Sequence, residues 1–335
     1  MALTGAEALG ELTGCLAADR GWHGAPLDTA RLRLRRMRPD DAPEIARLLD
    51  NWEVARTTSN IPFPYERSIA DDFIAKVTLE VAEGRALVFA IEERLTGKLA
   101  GCVGASINGH SAEIGYWIGR EFWSKGYATE AMRRCLRALF VNFGLGTVWG
   151  AVLPENPASR RVMEKAGLAF ERVQRMDMPA RNRCTELEVF TISREQWQEA
   201  QAAKPMLLVV AVALIDLEGR VLIAQRPEGK SMAGFWEFPG GKLDAGETPE
   251  AALVRELHEE LGIDVGQSCL SPLAFASHDY DSFHLLMPLY ACRQWLGQPE
   301  PREGQTLAWV RAPRLGDYPM PPADIPLVAI LRDWL

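Results

Sequence analysis

At 335 residues the chain is long for one domain, and its 47% apolar content is ordinary for a globular protein, so two folding units are expected. No apolar run is long enough to span a bilayer, a secretory leader is not expected, and six scattered cysteines without a C-x-x-C argue against a disulfide framework or a zinc cluster and for a reducing cytoplasm. The net charge of −8 lies wholly in the second half: residues 1–205 hold 27 basic and 27 acidic side chains and residues 206–335 hold 10 and 18, a poor platform for duplex nucleic acid.

Residues 1–26, rich in Ala, Gly and Leu, form an N-terminal extension in which a short amphipathic helix over 6–18 is weakened by its glycines. Residues 32–35 alternate like a first strand, and Asp40 and Asp41 read as caps for a helix to residue 50. A second helix, 68–82, carries Ile69, Phe73, Ile74, Val77 and Val81 at helical spacing, a packing stripe. Strands follow at 87–91, 99–107 and 112–118, with turns at Leu95-Thr96-Gly97 and Asn108-Gly109. Residues 122–131, FWSKGYATEA, are a glycine-containing loop that enters an amphipathic helix to residue 140. Such a loop presents unpaired backbone N–H groups at the positive end of a helix and suits an anion; alone, the pattern also fits an ordinary helix start. A strand at 148–153 leads to Asn156, Ser159 and a helix ending at Gly167. Two more strands, 169–178 and 185–191, and a helix opened by a Ser193/Gln196 capping box close this half, and 201–205 read as a linker.

The second half opens on a β-rich run at 206–215, a turn at 216–220 and a strand at 221–225. Its central stretch is 241–263, GKLDAGETPEAALVRELHEELGI. Thr248 as N-cap, Pro249 at N1 and Gly262 at the C-terminal end predict a helix over 249–261 that buries Ala252, Leu253 and Leu257. Glu256, Glu259 and Glu260, spaced i, i+3 and i+4, share one face, where like charges repel unless a cation joins them. Mg²⁺ prefers oxygen ligands and bridges carboxylates to phosphates, and Arg255 stands four residues before Glu259, where it can fix that carboxylate. The charge pattern alone leaves a metal site and a solvated acidic face equally open. His258 reads as a surface residue. Strands near 270–277 and 285–295 and a terminal helix over 323–335 complete the chain.

Gly241, Glu247, Arg255-Glu256-Leu257, Glu259-Glu260 and Gly262-Ile263 match the fixed positions of the Nudix box, and WEFPGGK at 236–242 resembles its MutT-type branch. The resemblance covers 206–335. It implies an α/β/α sandwich in which water attacks a phosphorus of a nucleoside diphosphate linked to another group, with Mg²⁺ or Mn²⁺ as cofactor. It makes Glu256, Glu259 and Glu260 the metal carboxylates, the Gly240 carbonyl a further ligand, and Glu247 and Arg255 their supports. Glu303, within Arg302-Glu303-Gly304-Gln305, is a candidate ligand or base, or else a loop glutamate. Arg226 and Phe238 match positions that contact the nucleotide. Pro321-Pro322-Ala323-Asp324 resembles a P-P-A-N stretch whose Asn reads oxidised guanine. An ionised Asp324 only accepts hydrogen bonds; either it is protonated, or it pairs with guanine N1–H and N2–H₂, or the preferred base differs.

The first half, over 29–197, resembles the GNAT superfamily of N-acetyltransferases, nearest to the branch that acetylates N-termini of ribosomal proteins and related amines. That implies an α/β (α+β) fold with a central mixed sheet flanked by helices. It also implies a strand at 114–118 splaying from 148–153, with acetyl-CoA in the gap. The pyrophosphate is expected on the amides of Lys125, Gly126, Tyr127, Ala128 and Thr129, and Asn156 on the pantetheine arm. The first position of the loop pattern, usually Gln or Arg, is Trp123. Glu113 is a candidate base or a solvent-facing strand residue, Tyr127 a candidate for the leaving thiolate or a packing ring, and Ser159 a plain helix residue. The expected whole is a bifunctional cytoplasmic chain: an acetyltransferase at 27–200, a linker at 201–205, and a pyrophosphohydrolase at 206–335. The hydrolase is expected to cleave (deoxy)nucleoside triphosphates, oxidised guanine nucleotides among them, to monophosphate and pyrophosphate. CTP or another nucleoside diphosphate derivative as its substrate, and a first domain that only binds acetyl-CoA, are the rival readings. The acceptor, an amine or a protein N-terminus, is not named by the sequence.

Overall fold

The computed structural model describes residues 25–280 and 282–335, so the helix considered at 6–18 lies outside the described residues. The chain divides into two compact units, Met1–Ala202 and Ala203–Leu335. Among the described residues no helix is long and apolar enough to cross a membrane.

In the first unit eight strands form one mixed sheet: β1 (Leu27–Asp28), β2 (Leu32–Arg35), β3 (Ala86–Glu93), β4 (Leu99–Asn108), β5 (Ser111–Ile118), β6 (Thr147–Val152), β7 (Ala169–Met178) and β8 (Arg183–Ser193), in the order β1-β2-β3-β4-β5-β6-β8-β7. Helices α1 (Ala42–Leu49), α2 (Trp52–Ala55), α3 (Arg67–Ala82), α4 (Tyr127–Val141), α5 (Pro157–Ala166) and α6 (Arg194–Ala202) connect and flank them. Neighbouring strands run antiparallel except β5 and β6, which pair in parallel at Ser111↔Thr147, Ala112↔Val148 and Glu113↔Trp149. Beyond Glu113 that ladder ends, and the two central strands part. Gly150 keeps the vertex narrow: a Cβ there would stand 2.9 Å from the Ile114 carbonyl oxygen and 2.8 Å from Met163 Cε of α5. The Ser193/Gln196 box forms as expected, with Ser193 N–H donating to Gln196 Oε1 (2.8 Å) and Gln196 N–H to Ser193 Oγ (3.2 Å). Asp41 departs from its expected role. Its buried carboxylate takes both Arg35 Nη groups (2.8 Å each) and the Arg38 N–H (2.8 Å), because a guanidinium buried beside it needs a charged acceptor more than the α1 amides do.

In the second unit a four-stranded sheet, β12-β9-β14-β13, and a three-stranded sheet, β11-β10-β15, are sandwiched between two helices. The strands are β9 (Met206–Leu214), β10 (Arg220–Gln225), β11 (Trp236–Glu237), β12 (Gly240–Lys242), β13 (Ser271–Asp279), β14 (His284–Cys292) and β15 (Thr306–Arg311); the helices are α7 (Pro249–Leu261) and α8 (Ile325–Trp334). The period of two along β9 assigns the layers. Val210, Val212 and Leu214 pack with Ala252, Leu253, Leu257 and Leu261 of α7, while Ala211 and Ala213 pack with Leu327 and Leu331 of α8. Strand β15 was not expected from the sequence. Its residues are mostly half-exposed, and six pairs with β10 define it rather than any alternation of its own.

Candidate active sites

Helix α7 starts where its caps require. Thr248 accepts the Ala251 N–H (3.3 Å), Pro249 needs no donor at N1, and Gly262 ends the helix at φ +69°. Its polar face turns to the loop after β11. A Cβ on Gly240 would overlap the Val210 carbonyl and one on Gly241 the Glu256 carboxyl, so only glycines let this backbone serve as a seat for that carboxylate. Arg255 holds the seat from the side. It bonds both oxygens of Glu247 (3.0 and 2.9 Å), Glu256 Oε1 (2.8 Å) and the Lys242 carbonyl (3.2 Å), and reaches Glu259 Oε2 at 3.4 Å. Its hold is therefore on Glu247 and Glu256 more than on the exposed Glu259 expected from the i+4 spacing.

Glu260 turns inward. Burial first, and then the charges of Glu256, Glu237 and Glu303, push its carboxyl up to about 7. Gln305 fastens the Glu303 loop to the end of α7: its Nε2 donates to the Glu260 carbonyl (2.9 Å) and its Oε1 accepts the Glu303 N–H (2.7 Å). The Lys230 ammonium bonds Glu303. Among the described residues no three His, Cys, Asp or Glu side chains converge as a ready ion cage; Arg255 and Lys230 stand on these carboxylates instead. The donor set nevertheless fits a hard divalent cation: it is all oxygen, and burial with neighbouring carboxylates raises Glu260, a cost that a bound cation would offset.

The nucleotide-side residues adjoin this cluster. Arg226 bonds Glu237 and, through Nε, the Ser231 carbonyl (2.6 Å). Glu237, held above its ordinary value mainly by burial, was missed in the sequence although it stands next to Phe238. Lys230 was missed as well, since nothing local ties it to Glu303. The Phe238 ring belongs to the core beneath α8, and the Phe238 N–H points to Asp324 Oδ1 at 3.5 Å. Asp324 is 5% exposed, and burial, with the charge of Glu237 next, pushes its carboxyl up to about 8. That shift favours its neutral form near pH 7. His258 is exposed and bonds Asp264 Oδ1 at 2.9 Å.

In the first unit the loop before α4 ends at Gly126, φ +79°, with no side chain capping the helix. The Glu130 N–H bonds the Gly126 carbonyl (3.2 Å), which leaves the amides of the preceding turn for an anion. Trp123 fastens the loop to β5 through Nε1 to the Ile118 carbonyl (2.7 Å), with Arg120 over its ring. Tyr127 is buried, and its hydroxyl bonds Glu93. Asn156 caps α5 by accepting the Ser159 N–H (3.1 Å). Across the parted strands, Tyr116 Oη of β5 donates to Ser159 Oγ of α5 (3.1 Å), a pair the sequence did not reveal because 43 residues separate them. Glu113 lies on the opposite face of β5 from Tyr116 by strand alternation. It is exposed, yet neighbouring atoms exclude enough solvent to raise its carboxyl above the ordinary value.

The parted β5 and β6 above an open loop, and the glycine-seated carboxylate helix, define two enzyme classes in one chain. Residues 31–169 match the family model described as an acetyltransferase (GNAT) domain and residues 210–329 the NUDIX domain. The chain belongs to both families, joining a GNAT acetyltransferase domain to a Nudix hydrolase domain. Its second half is 44% identical over 101 residues to an 8-oxo-dGTP diphosphatase of Proteus vulgaris, covering 30% of this chain and 88% of that protein. It is 39% identical over 126 residues to a CTP pyrophosphohydrolase of Escherichia coli (strain K12), covering 36% and 89%. The first half is 30% identical over 175 residues to the uncharacterized N-acetyltransferase p20 of Bacillus licheniformis, covering 51% and 97%.

Proposed function

We propose that the second unit hydrolyses nucleoside triphosphates to monophosphate and pyrophosphate, with 8-oxo-dGTP as the preferred substrate, and that the first unit transfers acetyl from acetyl-CoA to an amine or protein N-terminus. The observation that carries the base preference is the burial of Asp324, which raises its carboxyl and favours the neutral form. A neutral carboxyl has one O–H donor and one carbonyl acceptor, the same pair that an Asn amide offers. The Hoogsteen edge of 8-oxoguanine presents O6 as acceptor and N7–H as donor, which complements it. Unmodified guanine presents two acceptors there and offers the Asp324 carbonyl oxygen no donor of its own. Cytosine, with N3 as acceptor and N4–H₂ as donor, complements the same carboxyl, so CTP stands as the second reading.

Glu256, Glu259, Glu260 and Glu303, with the Gly240 carbonyl, are the groups that would hold Mg²⁺ or Mn²⁺, which when bound supplies charge neutralisation at the phosphates and an oriented, acidified water. Arg255 keeps Glu256 on its glycine seat, Arg226 would contact the nucleotide, and Glu303 would take the water's proton. In the first unit the amides of Lys125, Gly126, Tyr127, Ala128 and Thr129 would take the pyrophosphate, and Asn156 and the parted strands the pantetheine arm. Glu113 would accept the amine's proton as nitrogen attacks the thioester carbon. The Ser159 hydroxyl, supplied by Tyr116, would give a proton to the departing sulfur.

Pyrophosphate release from 8-oxo-dGTP, dGTP, CTP and dCTP at low concentration with Mg²⁺ tests the hydrolase. Preference for the oxidised guanine nucleotide supports the first reading and preference for a cytosine nucleotide the second; no cleavage of any triphosphate refutes both. Acetyl-CoA turnover over an amine and N-terminal peptide panel tests the transferase, and binding without turnover would leave an acetyl-CoA sensor.

A further inference from the structure

The phosphate loop is gripped from a distant part of the chain. Arg31, in the connection between β1 and β2, donates from Nη1 to the Lys125 carbonyl at 2.8 Å. Its Nε and Nη2 bond Glu130 Oε2 (2.9 and 2.7 Å), and its backbone N–H bonds Glu130 Oε1 (2.8 Å). Thr29 Oγ1 adds a bond to Glu130 Oε1 at 2.6 Å. Glu130 is 7% exposed and lies in the first turn of α4. The Arg31 guanidinium also lies over the Tyr127 ring, 5.0 Å from its centre.

Two consequences follow. The Lys125–Gly126 peptide is planar and trans, so its C=O and N–H point in opposite directions. A carbonyl turned to Arg31 therefore sends the Gly126 N–H away from Arg31. Gly126, at φ +79°, is also the residue most free to turn, and a site built from main-chain amides has no side chains to restore its shape. An ordered loop avoids an entropic cost when ligand binds. Arg31 itself contributes little net charge, since Glu130 neutralises it.

We infer that Arg31 and Glu130 are positioning residues for acetyl-CoA, a clamp that orients the Gly126 N–H for the pyrophosphate before the cofactor arrives. This inference rests on the reading of residues 125–129 as the pyrophosphate site. The test is the dissociation constant of CoA, by calorimetry on the full chain, for wild type, Arg31→Ala, Arg31→Lys and Glu130→Gln. Pyrophosphate release by the second unit and thermal unfolding serve as folding controls. Arg31→Ala should weaken CoA about tenfold or more, and Arg31→Lys, which keeps the charge but lacks the planar fork, should fall between. Glu130→Gln separates positioning from direct attraction. It should also weaken binding, because the grip is lost, whereas a charge that acted on the phosphates directly would be freed and would bind CoA more tightly. Tighter or unchanged binding in Glu130→Gln, or unchanged binding in Arg31→Ala, overturns the clamp. Failure of wild type to bind CoA overturns the reading of the loop instead.

Discussion

Replacing Asp324 by Asn should stabilise the protein, and by an amount that depends on pH. The carboxyl is pushed from 3.8 to about 8 in the folded chain, while the unfolded chain keeps the ordinary value. A group raised in this way contributes stability that is complete below about pH 4 and is lost as pH rises towards 8, because the unfolded state alone ionises in that window. The slope is about 1.4 kcal/mol per pH unit for one proton. Between pH 5 and pH 7 the wild type thus loses about 3 kcal/mol on account of this group, and Asp324→Asn loses none of it. Asn has nearly the same shape and keeps an oxygen for the Phe238 N–H, so no cavity offsets the gain. The assay is urea unfolding of both full-length proteins at pH 5, 6, 7 and 8, following the transition that the substitution moves. The other titrating groups are common to both and cancel in the difference. Stability curves that run parallel across this range would refute the buried neutral carboxyl, and with it the argument for base pairing.

Gly241→Ala should reduce pyrophosphate release by at least about a hundredfold, the usual scale for displacing a group at a reacting centre, since the new methyl overlaps the Glu256 carboxyl; CoA binding by the same molecule should not change. Because protons compete with the cation at Glu260, raised to about 7, the Mg²⁺ concentration for half-maximal hydrolysis should fall as pH rises from 6 to 8, by up to about tenfold per unit at the acid end; a flat dependence would remove Glu260 from the ligands. Glu259→Gln should abolish turnover without lowering the unfolding midpoint, and retained activity would move the metal elsewhere. Tyr116→Phe should leave CoA affinity within about twofold while slowing acetyl transfer about ten- to a hundredfold, the range for a lost proton donor; equal rates would make the Tyr116–Ser159 bond a packing feature only.

Local chemistry in the sequence was enough for the carriers of the two sites. Thr248, Pro249 and Gly262 bound helix α7 because caps act within one turn, and the i, i+3, i+4 spacing of Glu256, Glu259 and Glu260 follows from helix geometry alone. The β-rich run along β9 predicts a strand, though which face meets which helix depends on where α7 and α8 return. Tertiary structure decided what these groups meet and therefore how they behave. Arg31 and Glu130 are 99 residues apart and Lys230 and Glu303 are 73 apart, so no local rule pairs them. Arg255 sits nearest Glu247 and Glu256, although the i+4 rule favoured Glu259. Asp324 carries the same carboxyl in any sequence context, and only its enclosure under the core, beside Glu237, raises it. Protonation state, cross-chain pairing and the parting of β5 from β6 all depend on desolvation and on contacts far apart in the chain, which the order of residues does not display.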